Sequence, residues 1–321
     1  MPQPFSNIIR FLGCTILTSF LLISSMGISQ NPKPNSILEL VVDNDIVFLI
    51  DRYYSSGVEL NLYADWIKKS PINEILLPNG TNEIVYYSLS IKHRMYTPEK
   101  TLTPIIVYND HPYSTYFLVG NQKTSFNLEK RIKLTSKLEL GVIGPLAGGE
   151  TIQNKLHDNI PIAQHSEGWH NQVKNDLCVQ YTASVEKGVL HLPMLEANCF
   201  VSATLGVPHT EAQLGGYARF GIFDDFFRGM GIDISEDLHL WVAISGAFYL
   251  VNYNATLQGG TYNQDNVHTI NPINNTLLHG KIGGVIQYKR ISAEYGMEVR
   301  SPEFSTAFWH RWGHLVVAIA F

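Results

Sequence analysis

Residues 141–157 (GVIGPLAGGETIQNKLH) combine two glycine-rich turns with a short polar stretch that ends on a histidine. Histidine titrates near neutral pH, so it can take a proton from water and later return it as a general acid. A single loop histidine is equally often a solvated side chain without a chemical role. His157 is therefore a candidate catalytic base whose case depends on its neighbours.

Two polar clusters precede this segment and are joined by a short connection. The first is the triplet Asp43-Asn44-Asp45, and the second is residues 51–57 (DRYYSSG), which include Ser55. Carboxylate, amide and hydroxyl oxygens are the ligands that Ca²⁺ prefers. Taken alone, such a triplet is more often a solvated rim, and a serine at a strand start is more often a turn residue. The short connection predicts that the two clusters lie close together.

The connection at 144–175 adds further polar groups to the candidate site, namely Gln153, Asn154, Asp158, Gln164, Glu167 and Trp169. Ser55, His157 and Asp45 could form a nucleophilic triad, but no nucleophile-elbow sequence supports one. The twelve histidines are scattered without a zinc-binding spacing. These patterns favour a histidine base that activates water, with a calcium ion as the electrophile.

The elements that must position these residues are strands, because apolar and polar residues alternate with period two almost throughout. Residues 57–63 (GVELNLY) show this alternation cleanly. One face of such a strand meets lipid and the other meets the lumen. Twelve strands are predicted, at about 36–49, 54–66, 82–95, 112–125, 130–144, 175–187, 196–207, 214–223, 239–251, 277–289, 291–301 and 311–321. The pattern predicts an all-β fold, a closed transmembrane antiparallel barrel.

Composition agrees with a barrel in the bacterial outer membrane. Charged residues form 16% of the chain, below the roughly 25% of an ordinary soluble domain. In the last strand, Leu315, Val317, Ile319 and Phe321 share one face, and a final aromatic residue is typical of such barrels. A soluble β-sandwich with a buried last strand is the alternative. The 251–277 connection, rich in Asn, Gly and Gln, is expected to be solvated.

The chain divides into an export signal and one barrel domain. Arg10 is the only charged residue before Lys33, and an apolar run follows it, so residues 1–30 predict a cleaved secretory signal peptide. A retained membrane anchor is the alternative. Residues 31–321 form the barrel domain. The net charge of −5 argues against binding to nucleic acid.

The two cysteines of the barrel domain flank an expected turn near residues 186–188. Cys178 and Cys199 could face each other across that hairpin and form a disulfide in an exported protein. The alternative is two unpaired small residues.

Five segments, in order, carry a family resemblance: NDIVFLIDRYYSSG, IKHRMYTPEK, NDHPYSTY, GVIGPLAGGETIQNKLH and GWHNQVKND. They resemble the outer-membrane lipid A 3′-O-deacylase family over essentially the whole mature chain. The GPxAGGxxxQNxxH element and the Asn-Asp pair of strand one are the most specific parts. The resemblance implies a twelve-stranded barrel that removes the 3′ acyloxyacyl group of lipid A, the anchor of lipopolysaccharide, by a calcium-assisted histidine mechanism. We expect a monomer.

The resemblance also implies roles for individual residues. His157 matches the general base, and Gln153 matches a glutamine four residues before it. Asn44 and Asp45 match a pair needed for activity, with a metal-binding or positioning role. Ser55 stands where the family has a hydroxyl residue. Lys100 matches a lysine that contacts the phosphate of the substrate.

The calcium ligands implied by the resemblance are Asp45, Ser55 and an acidic residue after the histidine. At that last position the chain has Gln164, with Glu167 nearby. A basic residue that can follow the family's lysine is replaced here by Thr101. Two other functions stay open at this point: a catalytically inactive barrel that serves as a pore or scaffold, and an outer-membrane phospholipase.

Overall fold

The computed structural model describes residues 36–48, 51–158, 165–232 and 237–321. Its strands form one closed antiparallel barrel in which each strand pairs with its chain neighbours and the first pairs with the last. The strands are β1 (Ser36–Asn44), β2 (Tyr53–Ala64), β3 (Ile84–Thr97), β4 (Ser114–Asn127), β5 (Ile132–Ile143), β6 (Asp176–Leu192), β7 (Leu195–Gly206), β8 (His209–Ile222), β9 (His239–Asn254), β10 (Thr276–Tyr288), β11 (Ile291–Arg300) and β12 (His310–Ala320). The predicted barrel of twelve strands is confirmed. The expected signal peptide lies outside the described residues.

Helical structure is confined to the connections. The helices are α1 (Gly149–His157) and α2 (Ala255–Gln258), accompanied by short 3-10 turns, two of which are Asp45–Phe48 and Trp169–Asn171. Within the described ranges, no helix has both the length and the apolar character that crossing a membrane requires.

The alternation of side chains separates an apolar outer face from a charged interior. Val58 and Leu60 on β2 point outward and are 41% and 37% exposed, whereas Glu59 between them faces the lumen. Lipid covers such an outer face in a membrane barrel. Period-two patterning therefore places the charged residues inside.

A network of paired charges occupies the lumen at mid-height. Lys137 Nζ lies 2.7 Å from Glu59 Oε1 and 3.1 Å from Glu139 Oε1. Lys92 Nζ lies 2.7 Å from the same Glu139 oxygen, and Gln180 donates to Glu139 Oε2 at 2.6 Å. Charges buried this deeply are stable only when they are paired and hydrogen-bonded. Side chains rather than an open channel fill this level of the barrel.

The first strand ends earlier than predicted. Its pairing with β2 and β12 stops at Asn44, and the chain then turns through Asp45–Phe48. Asn44 Oδ1 accepts the backbone N–H of Ile46 at 2.8 Å, and this local bond replaces the next step of the ladder. The prediction that β1 extends to residue 49 is wrong, and Asp45 belongs to the turn.

The turn predicted between the two cysteines is misplaced, and of the two alternatives for them the unpaired one holds. β6 continues to Leu192, so the hairpin turn lies at 193–194 and not at 186–188. Cys178 pairs with Gly141 on β5, whereas Cys199 lies opposite Lys187. Lys187 is nine residues beyond Cys178 on the same strand, roughly 30 Å at the rise of an extended chain. Both cysteines are free.

The two ends of the barrel differ in the length of their connections. Three of the five connections at one end are turns of two to four residues, 128–131, 193–194 and 289–290, and the other two are 65–83 and 223–238. The opposite end carries 98–113, 144–175 and 255–275 together with shorter links. Bacterial barrels place short turns in the periplasm and longer loops outside the cell. The end that carries the 144–175 connection is therefore the extracellular one.

The 255–275 connection is packed and not solvated as expected. Leu257, Ile270 and Ile273 are buried in one cluster with Tyr53 and Phe304. These apolar residues lie among the Asn and Gly residues of the segment. Their burial removes apolar surface from water, and this stabilises the connection in its packed position at the mouth of the barrel.

Replacing Glu139 by alanine is expected to lower the free energy of unfolding by about 3 kcal/mol, because Lys92 and Lys137 lose a buried partner. Urea unfolding of the refolded barrel, followed by tryptophan fluorescence, measures this change. Glu186→Ala is the matched control, because its pair with Lys133 is about one-fifth exposed and its loss should change stability by less than about 1 kcal/mol. Equal effects of the two substitutions would contradict a buried lumen network.

Candidate active site

Helix α1 lies against the barrel wall because two glycines remove steric obstacles. Gly148 has a φ of 77°, a left-handed conformation that suits glycine. A Cβ on Gly149 would overlap Thr115 Oγ1, so only glycine lets the helix come this close to β4. On the preceding turn, His93 Nε2 lies 3.1 Å from the carbonyl oxygen of Ala147. The glycine-rich sequence thus fixes where the helix starts.

Gln153 connects α1 to the rest of the site. Its side chain is 1% exposed, and its Nε2 donates to Asp51 Oδ1 at 3.3 Å. Its Oε1 accepts the indole N–H of the fully buried Trp169 at 2.7 Å. Because one amide uses both its donor and its acceptor, three separate parts of the chain are held in one arrangement.

Asp51 is the residue on which these hydrogen bonds converge. Besides Gln153, Ser55 Oγ donates to Asp51 Oδ1 at 3.0 Å, and Thr97 Oγ1 lies 3.5 Å from the same oxygen. Burial raises the pKa of Asp51, while the bond from Ser55 and the nearby charge of His157 oppose that rise. The charge of His157 acts on Asp51, so the imidazole at the end of α1 lies within electrostatic range of this carboxylate.

Asp45 adds a second buried carboxylate next to Asp51. Its Oδ2 accepts the backbone N–H of Arg52 at 3.1 Å, which confirms that the first two polar clusters are adjacent. Burial raises the pKa of Asp45 well above its ordinary value, and the charge of Asp51 raises it further. Within the described parts of the chain, neither carboxylate has a lysine or arginine at ion-pair distance.

This donor set fits a hard divalent cation. The buried carboxylate of Asp45 and the half-buried one of Asp51, neither with a lysine or arginine at ion-pair distance, offer with the hydroxyl of Ser55 the oxygen ligands that Ca²⁺ takes. The negative charges of Asp45 and Asp51 repel each other, and a cation bound between them would reduce that repulsion.

The remaining predicted residues occupy different positions around this centre. His157 is the last residue of α1 and is half-buried. Lys100 is exposed, on the connection between β3 and β4. Glu167 is exposed and donates its backbone N–H to the carbonyl of Thr101 at 2.9 Å. Gln164 lies outside the described residues, so its part in a metal site stays a prediction.

A family model described as "Outer membrane protein LpxR" matches residues 15–321. The chain belongs to the LpxR family. This result confirms the resemblance to the lipid A deacylase family and the location in the outer membrane. Comparison with curated proteins finds no match.

A solved structure with the same fold as this LpxR-family barrel is LpxR itself, and two further barrels are more distantly similar. LpxR from Salmonella typhimurium has a TM-score of 0.73 at 23% identity, covering 89% of this chain and 100% of that chain. The beta domain of the Bordetella autotransporter Brka has a TM-score of 0.46 at 9% identity, covering 90% and 100%. The KdgM porin has a TM-score of 0.38 at 8% identity, covering 89% and 99%.

The sequence did not assign roles to three residues of the site in this LpxR-family member. Asp51 opens the DRYYSSG segment, one of the predicted polar clusters, but its role emerges only from the hydrogen bonds that converge on it. Thr97 is the last residue of β3, and its sequence context is that of an ordinary strand residue. Trp169 was expected among the polar groups of the 144–175 connection, but its hydrogen bond to Gln153 depends on the fold. The one available signal was an acidic residue, Asp51, close in sequence to the predicted ligand Ser55.

Replacing Gln153 by leucine, which has a similar volume, is expected to speed amide hydrogen exchange in α1 about tenfold, or about 1.4 kcal/mol. The indole N–H of Trp169 then loses its acceptor while still buried. Mass-spectrometric exchange on peptides covering 149–157 measures the effect. Thr151→Leu, an exposed position on the same helix, is the control and should leave exchange unchanged. Unchanged exchange in Gln153→Leu would show that Gln153 does not anchor α1.

Proposed function

We propose that this chain is an outer-membrane lipid A deacylase that hydrolyses the 3′-linked acyloxyacyl ester of lipid A. The observation that carries the proposal is the convergence of Ser55 and Gln153 on Asp51 Oδ1, a carboxylate on which the charge of His157 acts. Membership of the LpxR family supports the substrate class. The position of the site at the extracellular end is consistent with a lipid that occupies the outer leaflet.

The reaction assigned to His157 is general base catalysis of ester hydrolysis. An imidazole nitrogen accepts a proton from water while the water oxygen bonds to the ester carbonyl carbon. When the tetrahedral intermediate collapses, the bond to the sugar oxygen breaks and the imidazolium returns its proton to that oxygen. The products are a free acyloxyacyl carboxylic acid and a 3′-hydroxyl. His157 ends helix α1, where the helix dipole favours the positive charge that imidazole gains.

The residues around His157 position it and exclude water. Asp51 accepts hydrogen bonds on Oδ1 and keeps a carboxylate near the imidazole, so the charge formed there has a partner. Gln153 holds α1 at its distance from Asp51. Lys100, exposed on the neighbouring connection, is the proposed contact for a substrate phosphate.

Asp45 and Ser55 are the proposed calcium ligands, with Asp51 beside them and Glu167 or Gln164 completing the set. Asn44 shapes the turn that presents Asp45, through the bond from the Ile46 N–H. A bound Ca²⁺ would supply positive charge for the oxyanion. Loss of one such stabilising group typically slows an enzyme about a hundredfold to a thousandfold.

The two alternatives have less support. A pore needs an open lumen, whereas Lys92, Lys137 and Glu139 form a paired network at mid-height. A serine-dependent phospholipase needs a serine bonded to a histidine, whereas Ser55 donates to Asp51. Neither alternative accounts for the hydrogen bonds that hold α1 against the wall.

The decisive experiment measures the mass of lipid A after incubation with purified barrel in detergent micelles. We expect loss of one acyloxyacyl unit with Ca²⁺ present and no loss with chelator. His157→Ala is expected to slow the reaction about a hundredfold or more, because it removes the base. Micelles are needed because chelators also disturb lipopolysaccharide in intact membranes.

The matched control for that experiment is His165→Ala, on the same extracellular connection, which should keep full activity because His165 is exposed and bonds Asp158. Unchanged lipid A from folded wild-type protein with Ca²⁺ would refute the deacylase. Release of fatty acid from glycerophospholipid in its place would favour the phospholipase. Equal activity with and without chelator would refute the calcium role alone.

Replacing Asp51 by asparagine is expected to lower kcat by about ten- to a hundredfold, as is usual when the partner of a catalytic group is lost. Asparagine keeps the volume and an acceptor oxygen, so Ser55 and Gln153 retain a partner and KM should change less than about twofold. Asp265→Asn makes the same change of charge at an exposed extracellular position and serves as the control. A purely structural role for Asp51 predicts lost folding yield with kcat unchanged in the folded fraction.

A further inference from the structure

The connection between β2 and β3, residues 65–83, runs along the outer wall of the barrel near its periplasmic end. We call it the periplasmic strap. It begins with two short 3-10 turns, Asp65–Lys69 and Pro71–Glu74. The catalytic proposal uses none of its residues. The side chains that it contacts define its place on the wall.

Three neighbouring strands of the wall each hydrogen-bond to the strap through one side chain. The bonds run from Asn121 Nδ2 to Asn73 Oδ1 at 2.9 Å, from the Leu77 N–H to Ser136 Oγ at 3.0 Å, and from the Tyr181 hydroxyl to the Ile75 carbonyl oxygen at 3.2 Å. On the wall side, Asn121 and Ser136 are buried. The strap therefore crosses β4, β5 and β6 and covers polar side chains of the wall.

The wall residues of these bonds point away from the lumen, because their chain neighbours point into it. Those neighbours are Gly120, Lys137 and Gln180, which face the lumenal network around Glu139. Successive side chains of a strand point to opposite faces, so Asn121, Ser136 and Tyr181 lie on the face that meets lipid in a membrane barrel. The strap is therefore a periplasmic segment on the lipid-facing side of the barrel.

The strap borders directly on exposed apolar wall. Val119, Leu140 and Val179 lie side by side in register on β4, β5 and β6 and are exposed. On β4 and β6 they stand two residues, or roughly 7 Å, from Asn121 and Tyr181 toward the extracellular end. Hydrocarbon offers no hydrogen-bond partner to polar wall side chains, so the strap supplies the partners that lipid lacks. Its outer surface consequently takes the place of the wall in contact with the membrane.

That outer surface carries apolar and basic side chains together. Trp66 and Ile75 are 58% and 60% exposed, whereas the intervening Ile67 is buried. Lys68 and Lys69 are exposed close to Trp66 in the chain. In the part of the chain that the structure describes, neither lysine lies within ion-pair distance of a carboxylate. Both ammonium groups are therefore available to an external anion.

Tryptophan and lysine are residues that membrane proteins place where the bilayer meets water. The indole ring lies at headgroup level with its apolar body toward the acyl chains. A lysine stem follows the apolar surface while its ammonium group reaches the phosphate. Asp65 and Glu74 are exposed on the same strap, so the attraction for an anion is local to the adjacent Lys68 and Lys69. A phospholipid, which holds a phosphate beside its acyl chains, matches this arrangement of charge and apolar surface.

We propose that the periplasmic strap binds glycerophospholipids of the periplasmic leaflet, with Trp66 at headgroup level and the ammonium groups of Lys68 and Lys69 on headgroup phosphates. The strap joins β3 at its periplasmic end, and Thr97 of the candidate active site ends the same strand at the other side of the membrane. Anchoring the strap therefore fixes the depth of the barrel and the height of the candidate site at the outer leaflet. Lipid binding by the strap does not require that this site be a deacylase.

The first measurement locates Trp66 by fluorescence quenching in full-length protein refolded into vesicles of equal parts phosphatidylcholine and phosphatidylglycerol. The background is Trp309→Phe, which removes the other tryptophan that is more than half exposed, and the Trp66 signal is the part that Trp66→Phe removes in turn. Brominated acyl chains are expected to quench this signal about twofold, whereas acrylamide in the water on both sides should quench it little. The vesicles have identical leaflets, so the direction of insertion does not affect the result.

The second measurement compares phosphatidylglycerol with phosphatidylcholine as neighbours of Trp66, each lipid being brominated in turn. We expect about a fivefold preference for phosphatidylglycerol, falling to near equality in Lys68→Ala/Lys69→Ala, because lysines near the surface attract anionic lipid. Lys289→Ala, an exposed lysine in a periplasmic turn across the barrel, is the control and should leave the preference unchanged. Sodium chloride at about 1 M should also remove the preference in the wild-type strap, which tests the charges without a substitution.

The gel shift of the unheated barrel confirms that each variant has folded. Quenching of Trp66 by acrylamide in place of the brominated chains would put the strap in periplasmic water and overturn the proposal. Equal quenching by the two lipids in the wild type would overturn it as well. A preference that survives both the lysine substitutions and the added salt would show that Lys68 and Lys69 do not hold the phosphates, and this too would overturn it.

Discussion

A lipid bilayer offers no hydrogen-bond partners to the peptide backbone, so every strand that crosses it needs a neighbour on both sides. In this protein the pairing of β1 with β12 meets that requirement. The same pairing places Asn44 opposite Gly313 on one side and Ser56 on the other. The turn that carries Asp45 therefore starts between β12 and β2, which both extend three residues further, and the acidic centre follows from how the barrel closes.

The site depends on the fact that polar groups removed from water must find partners. Asp51 is half-buried, and the side chains of Ser55, Gln153 and Thr97 surround its Oδ1 oxygen. Gln153 also needs a donor, and the indole of Trp169 provides it. Each of these hydrogen bonds gives a partner to a polar group that would otherwise destabilise the fold by being buried without one. Together the bonds hold helix α1, although it lies in a connection, as firmly as a strand of the barrel wall. Precise placement of His157 follows from that chain of bonds.

The interior and the extracellular end hold their charges differently. At mid-height, Lys92 and Lys137 pair with Glu59 and Glu139, so the charges in the lumen neutralise one another. At the extracellular end, Asp45 and Asp51 have no lysine or arginine at ion-pair distance among the described residues. The paired charges support the barrel, and the two acids carry the proposed calcium site.

The number and order of the strands could be predicted from the sequence, because alternation with period two is a local pattern that each strand carries by itself. The motifs around Asn44, Asp45 and His157 also identified the family without a structure. Only the tertiary structure decided that β1 stops at Asn44 and that the cysteines lie far apart. It also decided that Asp51 and Trp169 complete the site. Those facts depend on register, barrel closure and loop packing, which join residues distant in the chain and leave no local pattern.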